Sequence, residues 1–169
     1  TIASAGDATD FGNLTAARSH PASFSSTTRG VWAGGNPTGA STIDTIDYVT
    51  IANTGNAADF GNLSAARDLT AGASSNTRGL ICNGFNGSAN LNIIEYVTIA
   101  NTGNTTDFGD STISNRSRAA VSSTVRAVIA GGINSNDTMD YVTIASTGNA
   151  TDFGNLTAAK SSMSGASNA

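Results

Sequence analysis

The sequence is poor in several residue types, and each scarcity excludes something. Its single cysteine, Cys82, cannot form a disulfide within the chain, so cysteine usage does not define the redox compartment. Only 12% of the residues are charged, and 8 Lys and Arg stand against 12 Asp and Glu, without the clustered positive charge of a nucleic-acid-binding surface. No apolar run approaches the length of a membrane span, and no segment keeps a helical apolar period. We therefore expect no helix, no nucleic-acid partner and no insertion into a membrane.

What the sequence does contain is an internal repeat. The segment 47–63, DYVTIANTGNAADFGNL, returns with small changes at 95–109 and 140–156, and the chain opens inside another copy at 1–14. The phenylalanine of an Asp-Phe-Gly triplet marks each copy, at Phe11, Phe60, Phe108 and Phe153, so the spacings are 49, 48 and 45 residues. Self-similarity at this period is typical of a repeat architecture.

The repeat predicts one repeat region over 1–169 that belongs to a longer propeller. We place three complete units at 18–66, 67–115 and 116–159, with partial units at 1–17 and 160–169. Each unit has four short segments rich in Val, Ile, Thr and Tyr, separated by Gly or Asn turns, which is typical of β-strands. Four antiparallel strands per unit indicate an all-β fold of propeller blades, with a β-solenoid as the alternative. An incomplete ring would leave strand edges unpaired, so we expect further blades of the same chain, or other copies in an oligomer, to complete it.

The order of landmarks within a unit resembles that of a kelch-type repeat. The first unit shows this order with Arg18, Ala22 to Thr28, Val31 to Gly35, Asp47-Tyr48, Phe60 and Arg67. The resemblance covers all three complete units and implies a kelch-like β-propeller. It departs from the family where phenylalanine replaces the usual tryptophan, at Phe60, Phe108 and Phe153, and where Asn83 interrupts the second Gly pair.

The amino-acid sequence of the repeat, TIDYVTIANTGNAADFGNL, also resembles repeats in virion structural proteins of marine bacteriophages, notably cyanophages. That resemblance implies a component of a virus particle, such as a tail fibre or another appendage. It would place the protein in the virion, outside the host cell.

Three sets of residues suggest catalytic or metal-binding chemistry, and each has a simpler structural explanation. The Asp-Phe-Gly triplet resembles a kinase motif, but it recurs with the repeat and lacks a phosphate loop, so we expect a buried Phe beside a turn. Asp7 with Asp10, and Asn104 with Asp107, could suggest a calcium loop, yet Asx-turns account for the pattern more simply. His20 and Cys82 lie in non-equivalent segments, so we expect a loop residue and a core residue instead of a catalytic pair. We predict no enzyme activity and no cofactor.

The loops that follow the Gly pairs vary while the scaffold repeats, and they are our candidate binding face. The stretches from Gly35 to Asp47, Gly84 to Glu95 and Gly132 to Asp140 span 12, 11 and 8 residues. Variable loops on a constant scaffold are a common place for recognition. The candidate contacts are Asn36, Pro37, Thr38, Phe85, Asn86, Ala89, Ile133, Asn134 and Asn136, with Trp32 near the same edge.

Charged residues also repeat with the units. We expect Arg18, Arg67, Arg116 and Lys160 to pair with Asp47, Glu95 and Asp140 at the edge that carries the variable loops. If such pairs are exposed, each contributes about 0.2–1 kcal/mol.

Two classes of function remain. The first is a non-enzymatic virion structural protein whose propeller surface recognises a host glycan or protein. The second is a secreted propeller enzyme or carbohydrate-binding domain whose active residues lie outside this segment. An enzyme would break the repeat symmetry with acids, histidines or a metal cluster in one place, whereas here the charged residues repeat with the units, which favours the first class.

Overall fold

The described part of the chain is built from β-strands. The computed structural model describes residues 5–37 and 41–167, and this part contains no helix, hence none that could cross a membrane. The prediction of an all-β fold is confirmed. Its strands are β1 (Ala22–Ser25), β2 (Arg29–Ala33), β3 (Thr45–Thr50), β4 (Ala58–Asn62), β5 (Ala71–Ser74), β6 (Arg78–Cys82), β7 (Leu91–Thr98), β8 (Thr106–Asn115), β9 (Ala119–Ser122), β10 (Arg126–Ala130), β11 (Thr138–Thr143) and β12 (Thr151–Asn155).

The strands form three four-stranded antiparallel sheets in which each strand pairs with its neighbours in sequence. The first sheet contains β1–β4, the second β5–β8 and the third β9–β12. In the first sheet, for example, Val31 lies opposite Phe24 on one side and Tyr48 on the other. The predicted four β segments per unit are therefore confirmed in all three complete units.

The Tyr-Val-Thr-Ile segment of the second sheet is apolar on both sides because a sheet packs against each of its faces. In the second sheet, Val97 and Ile99 pack against the first sheet, whereas Tyr96 packs against the third. Strands that are buried on both faces are expected to carry apolar residues on both. This confirms the prediction for the second sheet.

Two apolar cores hold the sheets together, one in each space between neighbouring sheets. The core between the first and second sheets contains Ala22, Phe24, Val31, Ala33, Ile46, Phe60, Leu63, Ile81, Val97 and Ile99. The core between the second and third contains Ala71, Ala73, Leu80, Cys82, Ile94, Phe108, Ala120, Ala127, Ile129, Val142 and Ile144. Each large side chain buried in this way contributes about 1.5–3 kcal/mol.

Each sheet therefore has two distinct faces. We call the side that packs against the following sheet the forward face, and the side that packs against the preceding sheet the rear face. Phe24 lies on the forward face of the first sheet, and its ring occupies the space beside Gly79 on the rear face of the second. At the next interface the equivalent residues are Ala73 and Ala127, which lie in the same core.

Hydrogen bonds link neighbouring sheets at several places, and two of these links repeat along the chain at opposite sides of the sheets. The first is a backbone ladder before the first strands, in which Leu69 N donates to His20 O, Ser117 N to Leu69 O, and Ser162 N to Ser117 O. These four residues share a positive φ of 53° to 56°. The ladder gives His20 a structural place through its backbone, in agreement with its prediction as a loop residue.

The second link joins a fourth strand to the Thr-Gly-Asn turn of the following unit, and we call it the turn latch. Between the first and second sheets, Gly103 N donates to Phe60 O at 2.7 Å and Thr105 N to Asn62 O at 2.9 Å. The Asn104 side chain accepts from Asn62 N at 3.0 Å. The same arrangement joins residues 11–13 to 55–57 and residues 108–110 to 148–150.

The sheets come closest along their first strands. Backbone contacts join β1 to β5 and β5 to β9, and Ser74 Oγ donates to Ser25 O while Ser122 Oγ donates to Ser74 O. A Cβ added to Gly72 would overlap the backbone of Ser23, so glycine permits this approach. Among the described residues the three sheets do not close into a ring.

Candidate binding groove at the loop edge

Each sheet has a constant edge and a variable edge. At the constant edge, which we call the turn edge, Ile51 N donates to Thr28 O, and the same bond joins Ile99 to Thr77 and Ile144 to Val125. The turns after the first and third strands of each sheet therefore lie together, as predicted. The opposite edge, the loop edge, carries the connections between second and third strands and the links from one sheet to the next.

The Gly pairs form the base of the loop edge because the backbone of the next unit passes directly over them. Gly35 N donates to Arg67 O at 2.9 Å, and a Cβ on Gly34 would overlap that same carbonyl. Gly34 also has a φ of 67°, which favours glycine. The predicted close backbone approach at these glycines is confirmed.

Asn83 replaces the first glycine of the second pair without disturbing this geometry. Its φ is 59°, close to that of Gly34, and asparagine tolerates this region better than most residues. Its buried side chain donates to Leu91 O and Ile113 O, both at 3.1 Å, and accepts from Ser111 Oγ at 3.0 Å. The Asn83 side-chain amide is therefore fully hydrogen-bonded below the loops.

A buried ion pair lies under the loop edge in each of the three sheets. The first two pairs were predicted: Arg18 Nη2 lies 2.5 Å from Asp47 Oδ2, and Arg67 Nη2 lies 2.6 Å from Glu95 Oε2. Both are buried at the side-chain level, so the figure for exposed pairs does not apply to them. Arg18 Nη1 also donates to Gly34 O and Thr45 O, so the pair anchors both ends of the first loop.

The prediction for the third pair is wrong in its choice of arginine. Arg118, not Arg116, approaches Asp140, with 2.6 Å between Nη1 and Oδ2, and donates to Ile129 O and Thr138 O. Asn115 stands at the position that Arg18 and Arg67 occupy, seven residues after the phenylalanine of the triplet. Asn115 carries no charge, and Arg118, three residues further along the chain, supplies the guanidinium to the equivalent acid. Lys160 is exposed, and no ion pair joins it to another described residue.

The second pair has fewer hydrogen bonds than its counterparts. Glu95 is one methylene longer than the aspartates, and Arg67 Nε and Nη1 are buried without a partner among the described residues. Burial lowers the pKa of the Arg67 guanidinium from its usual value, although the Glu95 carboxylate acts in the opposite direction. This site retains a guanidinium that is only partly satisfied.

A groove of about 510 Å³ opens at the loop edge between the first and second sheets. Polar groups from four separate segments converge on it. They are Asn36, Ser41 and Thr42 from the first loop, Asp68 and Leu69 from the link between the sheets, Phe85, Asn86, Gly87 and Ser88 from the second loop, and Arg116 from the following link.

Phe85 and Arg116 form the charged and aromatic side of the groove. The Arg116 guanidinium carbon lies 4.2 Å from the centroid of the Phe85 ring, within the range of a cation–π contact. Backbone hydrogen bonds in both directions between Phe85 and Asp68 fix the base of the loop. Arg116, which was predicted to form an ion pair, therefore lines the groove instead.

Asp68 contributes a carboxylate that is almost fully buried. Its side chain is 6% exposed, and Oδ1 has no hydrogen-bond partner among the described residues. A buried acceptor without a partner costs about 1–3 kcal/mol, more when charged. Sequence analysis did not identify Asp68, because its place directly after Arg67 is the only feature of the sequence that distinguishes it.

The structure brings together some of the predicted contacts and separates others. Asn36, Phe85 and Asn86 line the groove, and Pro37 is half-buried beside Asn36, whereas Thr38 lies outside the described residues. Asn86 Oδ1 accepts from the amides of Ser88 and of Ala89, which is exposed.

The third loop does not line this groove. Ile133 N donates to Asn115 Oδ1 and Arg116 O, Asn134 is exposed, and Asn136 Oδ1 accepts from Thr138 N. Trp32 lies on the rear face of the first sheet, in a different hollow. Of the three variable loops, only the first two therefore line the groove.

No protein-family model matches the chain, and no curated protein matches it significantly.

The residues considered for other chemistry occupy structural positions. Cys82 is buried in the core between the second and third sheets, where burial raises the pKa of its thiol to about 12. Asp10 Oδ1 accepts from Gly12 N, which is the predicted Asx-turn. The described residues contain no group of three or more His, Cys, Asp or Glu that could hold a metal ion.

The Asp-Phe-Gly triplets match the predicted buried Phe beside a turn only in the middle of the chain. Phe60 and Phe108 are buried, whereas Phe11 and Phe153 are exposed. The difference arises because only the two inner copies have a neighbouring sheet on their forward side and their own third strand beside them.

Proposed function

We propose that the chain is a non-catalytic scaffold of a virion appendage, such as a tail fibre, whose loop edge binds a glycan on the host surface. The observation that carries the binding role is the groove between the first two loops. There a carboxylate, a guanidinium, an aromatic ring and several amides and hydroxyls converge on one rigid base. Sites of this kind place a few polar groups beside an apolar surface to orient a ligand.

A glycan suits this chemistry better than an apolar ligand. The hydroxyls of Ser41 and Thr42 and the side-chain amide of Asn86 are neutral groups of the kind that bond to sugar hydroxyls. The Phe85 ring adds an apolar surface, and Arg116 and the buried Asp68 supply opposite charges. The virion setting rests on the resemblance of the repeat to bacteriophage proteins.

We also propose that the sheets are blades of a β-propeller. The closest approach of neighbouring sheets along β1, β5 and β9 supports a radial arrangement in which first strands surround an axis. Low-resolution electron microscopy of the assembled protein tests this proposal. A ring with a central opening supports it, and an elongated coil favours the β-solenoid.

Binding is tested with a panel of immobilised bacterial surface polysaccharides. We expect the native chain to bind at least one of them, and Phe85→Ala and Arg116→Ala to weaken that binding about tenfold or more, equivalent to about 1.4 kcal/mol each. Thr124→Ala, at the exposed turn edge, is the matched control and should bind as the native chain does. The absence of binding to any polysaccharide, or equal binding by all variants, would contradict the proposal.

A further inference from the structure

The loop between β6 and β7 carries two copies of a chemically reactive dipeptide. Asparagine is followed directly by glycine only twice in the sequence, at Asn83-Gly84 and at Asn86-Gly87. In such a pair the backbone nitrogen of the glycine can attack the amide carbon of the asparagine side chain, because glycine has no Cβ to hinder the approach. The structure places the two copies in very different surroundings.

Asn83 lies where this reaction cannot proceed. The residue is fully buried, so solvent does not reach its amide. Its side-chain nitrogen donates to two backbone carbonyl oxygens, which hold the group that would have to leave. Gly84 N, the nitrogen that would have to attack, already donates to Asn115 O at 3.1 Å. Both ends of the reaction are therefore held in place.

Asn86 lies in the opposite situation. Both Asn86 and Gly87 are exposed, so water has direct access to the side-chain amide. Gly87 N donates no hydrogen bond to any residue in the described part of the chain. A Cβ built on Gly87 would meet nothing within 4 Å, so the space around this peptide is open. The Gly87 nitrogen is therefore available as a nucleophile.

The turn also prepares the Asn86 carbonyl group for attack. Its Oδ1 accepts from Ser88 N at 3.0 Å and from Ala89 N at 2.8 Å, so the amide is folded back over the backbone that follows it. Donors in this position polarise the carbonyl, and they bond more strongly to the negatively charged oxygen of a tetrahedral intermediate. The two backbone amides thus act as an oxyanion hole that the loop builds around its own side chain.

We propose that Asn86 is a site of spontaneous deamidation and that the fold protects Asn83 from the same reaction. The Gly87 nitrogen forms a bond to Cγ of Asn86 and gives up its proton, while the Cγ–Nδ2 bond breaks and ammonia leaves with that proton. Water then opens the resulting succinimide at one of its two carbonyl carbons. The products are aspartate and isoaspartate, in which the main chain runs through the side-chain carbon. Water is the only co-reactant, and nothing is oxidised or reduced.

The reaction changes the groove between the first two loops. Both products carry a carboxylate where the groove has a neutral amide, among lining residues that include Arg116 and Asp68. Isoaspartate also lengthens the backbone within the turn that Asn86 N and Ala89 O close by a hydrogen bond of 3.2 Å. The groove therefore gains negative charge as the protein ages, and this does not depend on what the groove binds.

Incubation of the native chain at neutral pH, followed by ion-exchange chromatography, tests the proposal. A more acidic species should appear with time, and faster at higher pH, because Gly87 N must lose its proton to attack. Mass spectrometry of the tryptic peptide 79–116 should place the exchange of NH2 for OH at Asn86, with isoaspartate among the products. The control is Asn86→Gln, whose longer side chain disfavours ring closure, and it should remain a single species.

The chain unfolded in urea provides a second arm. Unfolding removes the burial and the hydrogen bonds that distinguish the two dipeptides, so Asn83 and Asn86 should then convert at similar rates. Over the same period only Asn86 should convert in the native protein. Conversion of both asparagines or of neither in the native chain would overturn the proposal. So would a difference between them that persists in urea, or an acidic species that forms equally from Asn86→Gln.

Discussion

The glycine of the Asp-Phe-Gly triplet makes the turn latch possible, and its replacement by alanine should show what the latch contributes. A Cβ on Gly61 would overlap the carbonyl of Gly103, which belongs to the turn that Phe60 O holds in place. Gly154 offers a matched control. It occupies the same place in the triplet and also has a positive φ, but a Cβ there would meet nothing within 4 Å.

The structure separates two contributions to the cost of these changes. Both variants bear the strain of a non-glycine residue at a φ of 147° or 123°, about 1–3 kcal/mol. Only Gly61→Ala also pushes the turn away, and it then loses the hydrogen bonds from Gly103 N and Thr105 N. At about 0.5–1.5 kcal/mol for each bond, Gly61→Ala should cost about 1–3 kcal/mol more than Gly154→Ala.

Urea unfolding followed by circular dichroism measures this difference directly. The two variants and the native protein are compared at one protein concentration, so that any dependence of the midpoint on concentration is the same for all three. An equal loss of unfolding free energy in both variants would refute the reasoning, because the strain alone would then account for the whole effect.

Three further predictions concern the interior. Arg67→Met should lower the free energy of unfolding, measured by urea titration, by about 3–5 kcal/mol because it leaves the buried Glu95 carboxylate without its partner. The double variant Arg67→Met with Glu95→Leu should recover most of that loss, and no recovery would contradict the prediction. Gly79→Ala should lower the free energy of unfolding, derived from thermal melts, by about 1–3 kcal/mol because the new Cβ overlaps the Phe24 ring. In the Phe24→Ala background the same change should cost less, and additive losses would argue against this explanation. Burial raises the pKa of the Cys82 thiol to about 12, and the pKa of an unfolded thiol is about 8.5, so the contribution of Cys82 to stability is complete below about pH 8.5 and is lost as the pH rises towards 12. Urea midpoints for Cys82→Ala should fall less steeply than native ones over that range, and parallel slopes would exclude the thiol as the cause.

The repeat allowed much of the fold to be predicted from the sequence. Turn residues and β-branched residues recur at fixed offsets, so four strands per unit and the grouping of turns at one edge follow from local chemistry. The forward and rear assignments could not be predicted, because alternation along a strand does not say which neighbour each side meets. Phe11 and Phe153 lie in the same Asp-Phe-Gly-Asn-Leu segment as Phe60, and only the sheets around them decide their burial.

The candidate site was predicted less completely. The variable loops were identified by their lengths, and Phe85 does line the groove, but the exchange between Arg116 and Arg118 was missed. A strict count from the triplet leads to Asn115, and two arginines lie within three residues of it. Which of them turns inward depends on the path of the connection into β9, and that path is a property of the packed chain.

The backbone ladder and the turn latch together have a mechanical consequence. The backbone ladder through His20, Leu69, Ser117 and Ser162 lies beside the first strands, whereas the turn latch grips the fourth strand at the far side of the sheet. A sheet fixed at one place could swing about it, but a sheet fixed at two distant places cannot swing about either without breaking the other. Bending the row of sheets must therefore stretch hydrogen bonds and open the apolar cores at the same time. The row should behave as a stiff strut that passes force from one unit to the next.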